Sequence, residues 1–177
     1  MSTQQQLVIN YFDQTHNDYR LLWGIDRHLG LHCGFFDQHR RGHDDAIRHM
    51  NQVLATVATL SPGERVLDAG CGIGGSAIWL AENVDVSVVG VNINAKQIER
   101  GCRLVSERVL QQRIQLQVAD YCATDFANES FDVVWALESV CYAEDKQAFL
   151  SEAYRLLRPG GRLVIADGFL TREDLGP

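Results

Sequence analysis

The sequence predicts an α/β fold, an open and doubly wound sheet of parallel strands with helices on both faces. Three observations predict it. From residue 44 onwards, short apolar segments alternate with amphipathic ones, a glycine-rich turn follows the first apolar segment, and these segments lack the polar alternation of a half-exposed strand. Strands that alternate with helices are joined by right-handed crossovers into a parallel sheet. Continuously apolar strands are typical of sheets that are covered on both faces.

The first elements follow from spacing and from residues that end helices. Residues 44–60 carry apolar residues three and four positions apart, which predicts an amphipathic helix ended by Ser61, Pro62 and Gly63. The short apolar run at 65–69 stops at glycines, as buried strands do. A helix at 75–83 and a strand at 86–91 are predicted next.

The same alternation continues through the second half of the chain. A helix is predicted at 95–111, followed by strands at 114–119 and 131–136. A last helix and a last strand are predicted at 146–157 and 162–167, separated by the stop-and-turn sequence Pro159-Gly160-Gly161. Together these elements give five parallel strands in a sheet of Rossmann type.

Composition excludes several classes of protein. The chain has 177 residues, 46% of them hydrophobic, and a formal net charge of −7 at pH 7. Binding to nucleic acid through a basic face is therefore not expected. No apolar run approaches the roughly 18 residues that span a bilayer, and the first ten residues lack a signal-peptide core, so we expect a cytoplasmic protein without a transmembrane segment.

Two domain-level units are predicted. Residues 1–43 interleave aromatic, polar and histidine residues, whereas 44–177 carry the regular alternation. The five cysteines show no CxxC pair, which predicts reduced, mostly buried thiols and neither a disulfide framework nor a zinc site. His28 and His32 are four residues apart but lack an acidic ligand set, so no metal site is predicted.

The turn after the first strand contains the first functional signal. Sheets of this type bind ligands outside the carboxyl ends of their strands. Gly70, Gly72 and Gly75 fit the GxGxxG pattern, so a dinucleotide cofactor is one interpretation. Asp68, however, would repel a pyrophosphate and would suit a ligand with an ammonium group.

Two segments carry a family resemblance. Asp68-Ala69-Gly70-Cys71-Gly72-Ile73-Gly74 resembles the first motif of class I S-adenosylmethionine-dependent methyltransferases, and the segment at 158–165 resembles the one that leads into their fifth strand. The resemblance implies strand order 3-2-1-4-5 and S-adenosyl-L-methionine as cofactor, with S-adenosyl-L-homocysteine as product. It also implies cofactor contacts at Asp68, Gly70, Cys71 and Gly72.

Further cofactor contacts are implied after the second and third strands. Asn92 stands where most members have an acidic residue that holds the ribose hydroxyls, and its amide can still bind them, although without a charge-assisted bond. Ile93 and Gln97 are expected beside it. Asp120 matches the residue that accepts from the adenine amine, with Tyr121 covering the base. Asn92 and Asp120 could instead serve as turn residues.

Residues on the acceptor side follow the fourth strand. In the family these residues face the methyl group, so Glu138 is expected to contact the cofactor and to act in catalysis, either as a base or by stabilising a cation. Tyr142 is expected to line the acceptor site. Glu138 as a solvated residue at the strand end is the alternative.

The N-terminal segment carries a narrower resemblance. Residues 10–37 are similar to the N-terminal lid of the sterol, tocopherol and cyclopropane-fatty-acid methyltransferases. This implies that Tyr11 reaches the methionine end of the cofactor in a catalytic role, while Tyr19, Trp23 and His32 line the pocket of the acceptor. An aromatic segment that only packs on the sheet remains the alternative.

The resemblance therefore implies methyl transfer to a small apolar or amphipathic acceptor, sterol-, terpenoid-, quinol- or lipid-like, at carbon. A small-molecule N- or O-methyltransferase and a cofactor-binding module without turnover are the alternatives. Complete members have seven strands closed by a C-terminal hairpin, which this sequence lacks, so a fragment of a longer gene product is expected. A partner or second copy that covers the fifth strand is the other interpretation.

Overall fold

The structure, a computed structural model, describes residues 1–39 and 42–169. In these residues, five parallel strands form one sheet in the order β3-β2-β1-β4-β5, which confirms the predicted fold and strand order. The strands are β1 Arg65–Ala69, β2 Ser87–Asn92, β3 Ile114–Val118, β4 Phe131–Leu137 and β5 Leu157–Ala166. The last eight residues of the predicted domain, 170–177, lie outside the described part.

Seven α-helices surround the sheet in the described residues. They are α1 Thr3–Gln14, α2 His16–Asp18, α3 Ile25–His28, α4 His43–Val57, α5 Gly75–Asn83, α6 Ala95–Glu107 and α7 Lys146–Leu156. A π-helical turn at Tyr19–Trp23 and a 3₁₀ turn at Val140–Tyr142 complete the elements. In the described part of the chain, every helix is too short or too polar to cross a membrane.

Strand residues supply two apolar layers, one on each face of the sheet. Val66 packs into the layer that includes α4, α5 and α6, whereas its neighbour Leu67 packs into the layer that includes α7. Val133 and Val134 of β4 divide in the same way. Because consecutive side chains point to opposite faces, both layers require apolar residues, and this accounts for the continuous apolar strands of the sequence.

Two helices end earlier than their apolar pattern predicts. Helix α4 ends at Val57 because Thr59 adopts a φ of 50°, and α6 ends at Glu107 because Val109 adopts a φ of 57°. After α4, the N–H groups of Thr59 and Leu60 donate to carbonyls of the last turn, the arrangement of a Schellman cap.

Strand β5 begins earlier than predicted. Its first residue, Leu157, pairs with Phe131 of β4, whereas Arg162 pairs with Val133, so the chain bulges between these pairs. Pro159 and the two glycines after it fill the bulge, where Gly160 has a φ of 82°. Proline lacks an N–H for the ladder, which explains why regular pairing resumes only at Arg162.

The N-terminal segment lies across the carboxyl ends of the strands. Gln5 of α1 bonds Asp120 after β3, and Asp13 at the other end of α1 bonds Asn94 and Lys96 at the start of α6. Asp26 pairs with Arg100 of α6. We call the described residues 1–37 the lid because these contacts hold them over the edge of the sheet where strand-end loops meet.

Candidate functional site

A cavity of about 410 Å³ lies between the lid and the carboxyl ends of the strands. Most of the residues predicted for the site line it: Asp68, Gly70, Cys71, Gly72, Asn92, Ile93, Gln97, Asp120, Tyr121, Glu138, His32 and Tyr142. The strand order reverses between β1 and β4, which is the position where sheets of this type bind ligands.

The glycine turn after β1 forms the floor of the cavity. Gly70 has a φ of 87°, and a Cβ at this position would lie 2.4 Å from the Cβ of Ser139. Gly72 also has a positive φ, 56°. The N–H groups of Gly70 and Cys71 both donate to the carbonyl of Val91, at 2.9 and 3.0 Å. The turn is therefore tight, and it brings the backbone close to any ligand in the cavity.

Asp68 contributes a buried carboxyl group to this floor. Its side chain is 3% exposed, and Oδ2 is buried without a hydrogen-bond partner. Burial raises the pKa of Asp68 to about 7, although a hydrogen bond from the backbone N–H of Ala77 acts to lower it. A buried carboxylate without a partner is unfavourable, so this oxygen suits a cationic ligand group.

The end of β2 is organised by amide side chains. The Asn92 Nδ2 donates to Gln97 Oε1 at 2.6 Å and to the Gly72 carbonyl at 3.4 Å. Asn94 caps α6 by accepting from the N–H groups of Lys96 and Gln97, at 3.0 and 3.1 Å. The predicted ribose residue is thereby linked to both the glycine turn and α6.

The end of β3 combines a carboxylate with an aromatic ring. One oxygen of Asp120 accepts from the N–H of Cys122 at 2.8 Å, and the other accepts from Gln5 Nε2 at 2.6 Å. The Tyr121 hydroxyl donates to the carbonyl of Ser139 at 2.8 Å, and its ring packs edge-on against Phe149. Burial raises the pKa of Tyr121 above its ordinary value.

Glu138 occupies the end of β4 in a strained conformation. Its φ is 48°, in the left-handed region, where a residue other than glycine costs about 1–3 kcal/mol. Its N–H donates to the Ala166 carbonyl at 2.7 Å, and its Oε1 accepts from the Cys33 N–H of the lid at 2.8 Å. Strain of this kind is concentrated at functional sites.

His32 is a neutral lid residue on the wall of the cavity. Nδ1 lies 2.9 Å from the Cys33 carbonyl, so Nδ1 carries the proton, and Nε2 lies 3.4 Å from the Asn51 amide nitrogen as an acceptor. Burial lowers the pKa of His32 to about 4. The side chain can therefore accept a hydrogen bond in the cavity wall but carries no charge near neutral pH.

Three of the predicted residues do not line the cavity: Tyr11, Tyr19 and Trp23. Tyr11 is 47% exposed, and its hydroxyl lies 3.5 Å from that of Tyr19. Tyr19 packs edge-on against Trp23. The helical phase of α1 explains the position of Tyr11, because Phe12 occupies the cavity-facing position and contacts Tyr142 at a centroid distance of 5.5 Å.

The sequence-based prediction missed several lining residues. Gln5, Val8 and Phe12 occupy one face of α1, and the sequence signal was available, because Ser2 and Gln5 form a capping box at the start of this helix. Ser139 lies in the segment after β4 that the sequence assigns to the acceptor side, but the sequence does not indicate what its side chain contacts. Its hydroxyl donates to the Ala69 carbonyl at 2.6 Å, a bond that only the folded sheet creates.

Most of the five cysteines are less buried than the sequence predicts. All five cysteines are free, but Cys33, Cys102 and Cys141 are exposed and only Cys71 is buried, so the prediction of mostly buried thiols is wrong. Cys33 and Cys141 lie in loops at the sheet edge, where the core does not enclose them. Within residues 1–39 and 42–169, no group of three or more His, Cys, Asp or Glu side chains could hold a metal ion.

The fold and the cavity together define a Rossmann-like protein with a ligand site at the strand ends. The family described as a methyltransferase domain matches residues 67–165, which contain β1 to β5 apart from the outermost residues. This chain belongs to the methyltransferase domain family.

Individual proteins agree with this assignment. The 2-methyl-6-phytyl-1,4-hydroquinone methyltransferase of Synechocystis sp. is 38% identical over 165 residues, 90% of this chain and 50% of that protein. The crystal structure of the cyclase SpnF superposes with a TM-score of 0.85 at 26% identity, covering 98% of this chain and 63% of that one. Geranyl diphosphate methyltransferase in complex with SAM has a TM-score of 0.68 at 27% identity, covering 77% of this chain and 62% of that one. The chain spans about half the length of the curated relatives it matches.

Proposed function

We propose that this protein binds S-adenosylmethionine in the cavity and transfers its methyl group to a small apolar or amphipathic acceptor of the quinol, terpenoid or sterol type. The observation that carries the proposal is the buried, unpartnered Oδ2 of Asp68 beside the glycine turn. The amino group of the cofactor would supply the missing cationic partner.

The other strand ends fit the rest of the cofactor. Gly70 and Gly72 adopt positive φ values, so the turn bends tightly and its backbone borders the cavity, where the methionine part can lie against it. Asn92 and Gln97 present amides to the ribose hydroxyls, and Asp120 presents a carboxylate to the adenine amine. The bound cofactor supplies an electrophilic methyl group on a sulfonium.

The acceptor side is proposed to lie under the lid near Phe12 and Tyr142, whose rings contact each other at the cavity. Leu31 of the lid adds an apolar wall. Such a surface favours an acceptor with apolar area and excludes water from the reacting atoms, which is what a displacement at a sulfonium methyl requires. The relatives named above for a phytyl hydroquinone and for geranyl diphosphate support this class of acceptor.

Glu138 is proposed as the catalytic carboxylate. It lines the cavity at the end of β4, and the Cys33 N–H holds one of its oxygens in place. It would take the proton that a quinol or alcohol acceptor loses, or would stabilise positive charge on a carbon acceptor. Methylation at carbon is the preferred form of the proposal, because a relative that is 32% identical over 93% of this chain is named a sterol 24-C-methyltransferase. In this form Glu138 would also take the proton that the methylated cation loses.

A second candidate function is cofactor binding without turnover. It is favoured by one observation, namely that the chain spans about half the length of the curated relatives it matches. About half of each of those relatives therefore lies outside the aligned region.

Two measurements on the same sample separate these functions. Calorimetry with S-adenosylhomocysteine tests the cofactor site, with NAD as the negative control. A methyl-transfer assay then uses 2-methyl-6-phytyl-1,4-hydroquinone, geranyl diphosphate and a Δ24-sterol as acceptors. Binding followed by transfer supports the proposal, binding without transfer to any acceptor supports the second function, and failure of S-adenosylhomocysteine to bind contradicts both.

The role of Glu138 is tested by Glu138→Gln. We expect the affinity for S-adenosylhomocysteine to change less than about threefold, while the rate of methyl transfer falls about 10²–10⁴-fold, the usual contribution of a general acid or base. Glu107→Gln, at an exposed position in the last turn of α6, is the matched control and should leave both unchanged. Equal losses of binding and transfer would indicate a structural role for Glu138.

A further inference from the structure

The conformation of Glu138 needs support from its neighbours. A positive φ is unfavourable for this side chain, and such conformations persist only where surrounding contacts fix them. The bond from the Glu138 N–H to Ala166 fixes the peptide on its N-terminal side. The peptide on its C-terminal side joins it to Ser139, so contacts that fix Ser139 also restrain the backbone of Glu138.

Ser139 is held by four contacts. Its side chain is 5% exposed, and its hydroxyl donates to the Ala69 carbonyl at the end of β1. Its Cβ fills the space that a side chain at Gly70 would need. Its carbonyl accepts from the Tyr142 N–H at 3.2 Å and from the Tyr121 hydroxyl at 2.8 Å, and the Tyr121 ring packs on Phe149.

We infer that Tyr121 and Ser139 are positioning residues for Glu138. The hydroxyl of Tyr121 binds the carbonyl of Ser139, and the hydroxyl of Ser139 binds the Ala69 carbonyl. Ser139, fixed at both groups, in turn restrains the peptide that joins it to Glu138, whose carboxylate accepts from the Cys33 N–H at the cavity. Tyr121 thus has two separable parts, a ring beside Asp120 and a hydroxyl that acts on Glu138. The catalytic consequence of this inference rests on the proposed methyl transfer, whereas its structural consequence does not.

Tyr121→Phe tests the inference because it keeps the ring and removes only the hydroxyl. Amide hydrogen exchange of Cys33, measured by NMR on the ligand-free protein, reports whether Glu138 still accepts from that N–H. We expect the exchange rate of Cys33 to rise about tenfold, as for the loss of one supporting hydrogen bond. The amide of Val88 in β2, whose N–H donates to the Arg113 carbonyl, should exchange at its original rate.

Matched variants complete the test. Tyr154→Phe, at an exposed tyrosine of α7, should leave the exchange rates of Cys33 and Val88 unchanged. Ser139→Ala should raise the exchange rate of Cys33, as Tyr121→Phe does. Unchanged exchange at Cys33 in both site variants overturns the inference. Faster exchange at Cys33 and Val88 alike also overturns it, because it indicates general destabilisation.

The catalytic consequence is read from a double-mutant cycle with an acceptor that the unmodified protein methylates. Tyr121→Phe should lower kcat about tenfold with less than about twofold change in the KM for S-adenosylmethionine, and should add nothing in a Glu138→Gln background. Independent, additive losses overturn the assignment. If the unmodified protein transfers no methyl group, the proposed function fails, whereas the exchange rates still decide whether Tyr121 positions Glu138.

Discussion

In the ligand-free protein, the carboxyl group of Asp68 is buried, and burial raises its pKa to about 7. A ligand ammonium group binds the ionised form, so binding must be accompanied by release of the proton wherever Asp68 is still protonated. The nearby thiol of Cys71 does not interfere, since burial and the charge of Asp68 raise its pKa well above the ordinary value. In the proposed complex, protonation of Asp68 is therefore coupled to the affinity for the cofactor.

We predict that the dissociation constant of S-adenosylhomocysteine falls about tenfold per pH unit as the pH rises towards about 7, and levels off above it. The sign follows from the raised pKa, because below about 7 only a fraction of Asp68 is ionised and ready to bind. Calorimetry across this range, in two buffers with different ionisation enthalpies, measures the affinity and the released proton.

Two variants control this prediction. Asp68→Asn should bind more weakly by about 1–3 kcal/mol at pH 8, with an affinity that no longer depends on pH. Asp125→Asn, at an exposed position, should retain the original profile. A pH-independent affinity in the unmodified protein would show that Asp68 does not receive the amino group.

At this residue scale, the sequence predicts the side chains that follow strands but not those that reach the cavity from elsewhere. Asp68 and Asp120 could be placed because strand ends meet at one edge of the sheet. Gln5 could not, since its place depends on how α1 lies across the sheet. The bond from the Ser139 hydroxyl to the Ala69 carbonyl could not be predicted either, because it depends on contact between the ends of two strands. The shift of the inward position from Tyr11 to Phe12 depends on the rotation of α1, which spacing alone does not determine.

At the scale of elements, the ends of α4 and α6 show local strain. Thr59 and Val109 adopt positive φ values that favour glycine, and both side chains are branched at Cβ. After α6, the N–H groups of Val109 and Leu110 donate to the carbonyls of Ser106 and Val105, so the cap itself is complete. The strain therefore comes from the side chain and not from missing backbone bonds.

We predict that Val109→Gly stabilises the protein by about 0.5–1 kcal/mol, because relief of the left-handed strain exceeds the greater chain entropy of glycine in the unfolded state. Val109 is 82% exposed, so little apolar contact is lost. Urea unfolding measures the difference. Glu107→Gly, in the last turn of the same helix, should destabilise by about 0.5–1 kcal/mol, and equal effects of both variants would contradict the explanation.

The strands and most helices of the sheet domain could be predicted because their apolar periodicity reflects burial on two faces. The lid could not be resolved into α1, α2, the π-helical turn and α3, since its helices have no fully buried face before Ile25. The predicted ends of α4 and α6 were wrong for a different reason, which concerns Thr59 and Val109. There the apolar pattern continues while the backbone turns, and neither residue is one that normally ends a helix.

For the whole molecule, two buried groups oppose each other in the pH dependence of stability. His32 has a folded pKa of about 4, below its ordinary value, so the unfolded chain binds the extra proton and stability rises with pH up to about 6.5. Asp68 has a folded pKa of about 7, above its ordinary value, so the folded chain keeps the proton and stability falls as pH rises from about 4 to 7. His16 and His28, whose pKa values burial lowers, act in the same direction as His32.

We predict that removing either group shifts the slope of stability against pH in opposite directions. Without ligand and between about pH 4.5 and 6.5, the stability of Asp68→Asn should rise more steeply with pH than that of the unmodified protein, and the stability of His32→Asn should rise less steeply or fall. Each slope is compared with that of the unmodified protein because His16 and His28 remain in both variants, and it should differ by at most about 1.4 kcal/mol per pH unit. The lowered pKa values of Asp13, Asp26, Asp44 and Glu152 affect stability mainly below this range, because those carboxyl groups stay ionised within it. Urea unfolding at several pH values gives the slopes, with Asp125→Asn expected to follow the unmodified protein. Changes in slope of the same sign in both site variants, relative to the unmodified protein, would show that these two groups do not act as proposed.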